Sequence, residues 1–129
     1  MTNKNLPPKD NKQLLQEILD ELLAHNADII SVLVVSDEGL NVASGPPQKN
    51  DDSIAVTASD LMDTATEFCT RLEQGRLSRV ILEGEQRTTI VVNAGKHTVL
   101  AVLVPVNTKL GLVTLSMRHA AEKIAAIFD

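Results

Sequence analysis

Ile29-Ile30-Ser31-Val32-Leu33-Val34-Val35-Ser36 is followed at once by Asp37-Glu38-Gly39 and then by Leu40-Asn41-Val42-Ala43-Ser44. The first run is rich in β-branched residues and too short for a helix of ordinary length. Its apolar residues are nearly continuous, which suits a strand covered on both faces. Ser36, Asp37 and Gly39 are turn formers, and Gly39 can take a positive φ without a Cβ penalty. The chain then resumes as a short strand, so the stretch reads as a β-hairpin. A hairpin specifies no chemistry. It specifies a small α/β domain that binds something.

Upstream, Asn11 to His25 predicts a helix capped by Asp10 or Asn11. Leu14, Leu15, Ile18, Leu19, Leu22 and Leu23 form one apolar stripe, with Gln16, Glu17, Asp20 and Glu21 on the wet side. Residues 1–10 read as a polar flexible tail without the apolar core of a secretory signal, and residues 11–129 as a single domain. Downstream, Gly45 to Asp51 is a loop by composition. A second helix is predicted from Asp52 or Ser53 to just before Gly75, about 22 residues and long for so small a domain. Ile54, Ala58, Leu61, Met62, Ala65, Phe68, Cys69 and Leu72 share one face. A neighbouring face carries Ala55, Ser59, Met62 and Thr66, mostly small residues four apart. These either admit a second helix at close range or simply face water.

Three strands follow: Leu77 to Glu83, Arg87 to Ala94 and Thr98 to Val104. Turns at Gly84-Glu85-Gln86 and Gly95-Lys96 are too short for anything but antiparallel pairing. The run Val99-Leu100-Ala101-Val102-Leu103-Val104 is nearly all apolar and belongs in the middle of the sheet. A last helix runs from Thr108 or Lys109 to the end, with Leu110, Val113, Met117, Ala120, Ala121, Ile124, Ile127 and Phe128 as its stripe. The order is α-β-β-α-β-β-β-α, an α+β arrangement with a five-stranded antiparallel sheet between helices.

Composition limits the functions open to this chain. With 129 residues and 43% hydrophobic content, one domain can bury a real core. No apolar run has membrane-spanning length, and no membrane partner is expected. Net charge is −5, without a long basic run, and the aromatic rings are Phe68 and Phe128. A nucleic-acid reader needs a basic patch, and a single-strand binder also needs stacking rings, so nucleic acid is not expected as a partner. The single cysteine, Cys69, forms no internal disulfide and agrees with a reducing, cytoplasmic setting. It falls on the apolar face of the second helix and reads as a small core residue.

No Gly-x4-Gly-Lys-Ser/Thr phosphate loop or Gly-x-Gly-x-x-Gly fingerprint is present, so the protein is not expected to hydrolyse GTP itself. His25, His97 and His119 sit on separate elements without zinc-ligand spacing, and read as surface histidines; no metal or cofactor is expected. Arg71, Arg76, Arg79 and Arg87 gather near the end of the second helix and the meander. They read as solvated or partner-contact side chains more readily than as an arginine finger. Asp60, Asp63 and Glu67 read as a wet helix face, with no acid–base role.

Two motifs carry a family resemblance that covers Leu14 to Phe128. Val34 to Ser44 resembles the strand, Ser/Asp turn, Gly-Leu and small-residue strand of the Roadblock family, named for a dynein light chain and related to longin and profilin-like folds. Lys109-Leu110-Gly111-Leu112-Val113, leading to Arg118-His119-Ala120-Ala121-Glu122-Lys123-Ile124-Ala125, is similar to the last helix of many bacterial and archaeal members. The resemblance implies a homodimer that serves a Ras-like small GTPase as a non-enzymatic regulator or platform. Some bacterial members activate a gliding-motility GTPase by reshaping its own site, while others are structural adaptors. A pocket-based small-molecule sensor is the remaining reading. The third strand lacks Pro and Lys, the usual guards of an edge, and so is suited to recruit a partner strand. The dimer interface expected from these considerations comprises Ala55, Ser59, Met62 and Thr66 of the helix and Leu77, Arg79, Ile81 and Glu83 of the strand.

Overall fold

The computed structural model describes residues 8–129. Its elements are α1 (Asn11–His25), β1 (Ser31–Ser36), β2 (Asn41–Gly45), α2 (Asp51–Arg71), β3 (Val80–Glu83), β4 (Arg87–Asn93), β5 (Thr98–Pro105) and α3 (Leu110–Phe128). The strands form one antiparallel sheet in the order β2-β1-β5-β4-β3. The expected element order holds, and β5 lies in the centre. Most of the expected tail, residues 1–7, lies outside the described residues.

Helices cover both sheet faces. Val32 and Val34 of β1, with Leu100, Val102 and Val104 of β5, meet the apolar stripes of α1 and α3. The alternate residues, Leu33, Val35, Val99 and Ala101, meet α2. This is why β1 and β5 are apolar at nearly every position: a strand between two layers has no wet face. Each such Val or Leu side chain contributes about 1.5–3 kcal/mol on full burial.

Local chemistry fixes the joints. Asp10 caps α1 in a reciprocal box: its carboxylate accepts from the Gln13 backbone at 2.8 Å, and the Gln13 side chain accepts from the Asp10 N–H at 3.1 Å. In the β1–β2 turn, Gly39 has φ +82°, and a Cβ there would stand 3.3 Å from the Val56 Cα of α2. Gly39 thus serves both the turn and the close approach of α2. Ser59 of α2 donates to the Asp37 carbonyl at 3.0 Å and ties helix to turn.

Several boundaries differ from the sequence expectations. The β3 strand begins at Val80, not Leu77. Leu77 and Val80 both pack against the α2-side cluster. Residues three apart in a regular strand point to opposite faces, so a strand cannot run through both. At its start, α2 is flanked by Asn50, and the Asp51 carboxylate accepts from the Gln48 N–H at 2.8 Å. It ends at Arg71, because Glu73 takes a positive φ of 54° before Gly75 does so at 86°. β2 carries a bulge: Val34 opposes Ala43 but Val35 opposes Asn41, leaving Val42 as the extra residue.

Candidate partner interface

The helix α2 is divided along its length. Its first half buries Asp51, Ala55, Ala58, Ser59 and Met62. From Asp63 to Arg71 no residue is buried; Ala65 and Cys69 are half-covered. Phe68 is 61% exposed, and Leu72 just beyond is 64% exposed. The sheet that α2 crosses is made of β1, β2 and β5, and the helix outruns it. At about 1.5 Å per residue, a helix of 21 residues spans roughly 31 Å.

β3 ends the sheet on the other side, with one edge unpaired. Val80 opposes Val91, which belongs to the α2-side cluster, so Val80 and Leu82 face the α2 side. Ile81 opposes Ile90 and faces the α1–α3 side, as does Glu83 opposite Thr88. Ile81 and Leu82 are both exposed. The edge therefore offers apolar side chains on both faces and a free ladder of backbone donors and acceptors.

The eight expected interface residues fall into two groups. Within the single chain, Ala55, Ser59 and Met62 lie against its own sheet and turn. Their close neighbours within the chain are β1 and the Gly39 turn. Thr66 is exposed, with its hydroxyl donating to the Met62 carbonyl at 2.7 Å. Leu77 is half-buried, while Arg79, Ile81 and Glu83 are exposed at the edge. Phe68, Leu72 and Leu82 were not expected there. Phe68 and Leu72 belong to the apolar stripe expected for α2, and only the excess length expected of that helix hinted that its far end would lie bare.

The other candidate groups disperse. Arg71 pairs with Glu67 on the exposed helix surface, at 2.7 and 3.0 Å. Arg76, Arg79 and Arg87 join no ion pair among the described residues. Cys69 is half-buried, not a core residue. His97 bonds Asp37 through Nδ1 at 2.9 Å. His25 and His119, far apart in sequence, line one cavity between α1 and α3 together with Glu21 and Lys123. A hydrogen bond from Lys123 at 3.0 Å, then its charge, holds the Glu21 carboxyl below its usual range, with His25 and His119 adding smaller pulls. No three potential ligands converge as a metal site among the described residues, and no described helix is long and apolar enough to cross a membrane.

Comparison with known proteins agrees with this architecture. The model of the Roadblock/LC7 domain matches residues 15–104. An uncharacterized protein of Methanocaldococcus jannaschii is 35% identical over 97 residues, 74% of this chain and 84% of its own. Among solved structures, the gliding protein MglB of Thermus thermophilus superposes with a TM-score of 0.81 at 21% identity, covering 98% of this chain and 97% of that one. MglB of Myxococcus xanthus gives 0.82 at 20% identity, covering 95% and 93%. At these identities the structures speak for the fold alone, but the domain match and the archaeal relative go further: the chain belongs to the Roadblock/LC7 family.

Proposed function

We propose that two copies of the chain form an isologous dimer that binds a Ras-like small GTPase as a non-enzymatic regulator or platform. The observation that carries the reading is the bare second half of α2, with Phe68 exposed on it, on the same side of the sheet as Leu82 of the unguarded β3 edge. A β3 strand paired with its own copy across a two-fold axis extends one sheet through both protomers. Phe68 and Leu72 supply apolar area beside it, and family membership supports a GTPase as the further partner. Such a partner places the protein in the cytoplasm. In this reading the protein lends no catalytic residue; the GTPase works with its own site, reshaped by contact.

Light scattering at micromolar concentration is expected to give twice the chain mass of 13.9 kDa. A single species at the chain mass would overturn the dimer. Adding the dimer to a GTP-loaded candidate GTPase and following hydrolysis tests the regulatory half. Faster hydrolysis supports a regulator; binding without a rate change leaves a structural adaptor. Replacing Arg71, Arg76, Arg79 and Arg87 singly by Ala is expected to leave stimulation within about tenfold. A loss of about 10³-fold with binding intact would reveal an arginine finger.

A further inference from the structure

On the sheet face opposite α2, a cavity of about 250 Å³ opens between α3 and the corner of β3 and β4. Its existence follows from the α3 sequence. Thr114, Arg118, Ala121 and Ala125 recur at helical spacing and line the same cavity. Ala121 and Ala125 are too small to fill the space between helix and sheet. Arg118, one turn earlier, borders it with a long charged side chain. Across the gap stand Arg79 and Ser78, leading into β3, and Asn93 at the end of β4.

Two arginines therefore line one small cavity on a chain whose net charge is −5. Glu122 is the one carboxylate in the lining, and a second, Asp129, sits beside the lining residue Gly95 and accepts from the Lys96 backbone N–H. Among the described residues, neither Arg79 nor Arg118 forms an ion pair. The Thr114 hydroxyl is already engaged with the Leu110 and Gly111 carbonyls at 2.8 and 3.0 Å. Among the described residues, the Ser78 hydroxyl and the Asn93 amide have no side-chain hydrogen bond and can donate.

We propose that this cleft binds a small phosphate-bearing molecule. Two planar forks need an acceptor with several oxygens, and a phosphate group can accept from both while a carboxylate has two oxygens to offer. Ser78 and Asn93 add neutral donors at the same cavity. At about 250 Å³ the space is below the usual range for drug-sized ligands, so it suits a phosphate on a small body, not a dinucleotide. The site goes beyond the dimer reading. Arg79 belongs to both, whereas Arg118 and Ala125 of α3 belong to the cleft alone.

The test is a titration of the ¹⁵N-labelled full chain with inorganic phosphate at constant ionic strength, reading the arginine Nε–Hε signals. Arg79 and Arg118 are expected to move together along one saturating curve. Arg118→Ala, at an exposed position, is expected to weaken the Arg79 response at least tenfold and leave the dimer mass unchanged. Ala125→Leu, which fills the cavity and keeps both arginines, is expected to do the same. Should that variant fail to fold, Arg118→Ala alone decides. An Arg79 response unchanged by Arg118→Ala, or shifts of equal size at Arg71, Arg76 and Arg87, would overturn the site. Vesicles of phosphatidylcholine with and without phosphatidylglycerol form the second arm. Binding to the anionic vesicles with no response to inorganic phosphate would overturn a soluble ligand and assign the arginines to a lipid surface.

Discussion

The two halves of α2 are built from similar residues and meet different fates. From Asp51 to Met62, small residues let the helix settle onto β1 and β5, and the Gly39 turn closes against Val56. From Asp63 to Arg71 the same helix buries no residue, and Phe68 is exposed. The lesson is that burial follows reach. A side chain is core only where another layer extends under it. The two edges of the sheet differ in a parallel way. β2 is bulged at Val42 and runs into Pro46, which has no N–H to donate. β3 has neither guard. Bare helix and bare edge both mark the end of the single chain's own packing.

The largest effect is expected where the first half of α2 meets the sheet. Met62 is 4% exposed, and Met62→Ala should cost about 2–5 kcal/mol in urea unfolding through lost burial and a residual cavity. A cost near zero would mean that Met62 does not face its own sheet. Phe68→Asp, in the bare half, should behave in the opposite way. Monomer stability should stay within about 0.5 kcal/mol, as for most exposed sites. The dimer dissociation constant should rise about 100-fold, roughly 2.7 kcal/mol, if Phe68 is a central anchor. Val42→Asp on the guarded β2 edge should leave that constant unchanged; equal weakening by both would erase the distinction between the edges.

A smaller effect tests register. If the two-fold axis passes by Ile81, Arg79 faces Glu83 of the partner subunit, and the pair occurs twice. Each pair is worth about 0.2–1 kcal/mol, towards the low end because water screens it. Arg79→Glu should weaken the dimer, and adding Glu83→Arg should restore it. A double swap no tighter than the single change would refute that register. Arg79 lies one residue before β3, so the pairing also requires the strand to lengthen on assembly.

The smallest effect lies on the opposite face. Glu21, held below its usual range by Lys123, stabilises the fold only while ionised. That contribution is present above the ordinary glutamate value of 4.5 and disappears as pH falls through the lower folded value. Lys123→Met should therefore lower the melting temperature slightly at pH 7 and not at all well below pH 4. An equal loss at both pH values would assign the effect to packing.

The sequence by itself determined the element order, the hairpin, the central place of β5 and, to within one residue, the α1 cap. Each of these is written in local periodicity or in the chemistry of a few adjacent residues. Gly39 was legible too, because a positive φ favours one residue type. What only the tertiary structure decided is which residues of α2 and β3 are free. Helical periodicity names an apolar stripe but not how far along it the sheet reaches, so Phe68 and Leu72 looked like core. The small row Ala55-Ser59-Met62 allowed a close neighbour and allowed water, and only the fold shows what lies against it. Leu77 looked like the start of the strand that follows it, until its packing beside Val80 broke the alternation. The cavity at Arg79 and Arg118 joins residues 39 positions apart in the chain, and no local pattern records that distance.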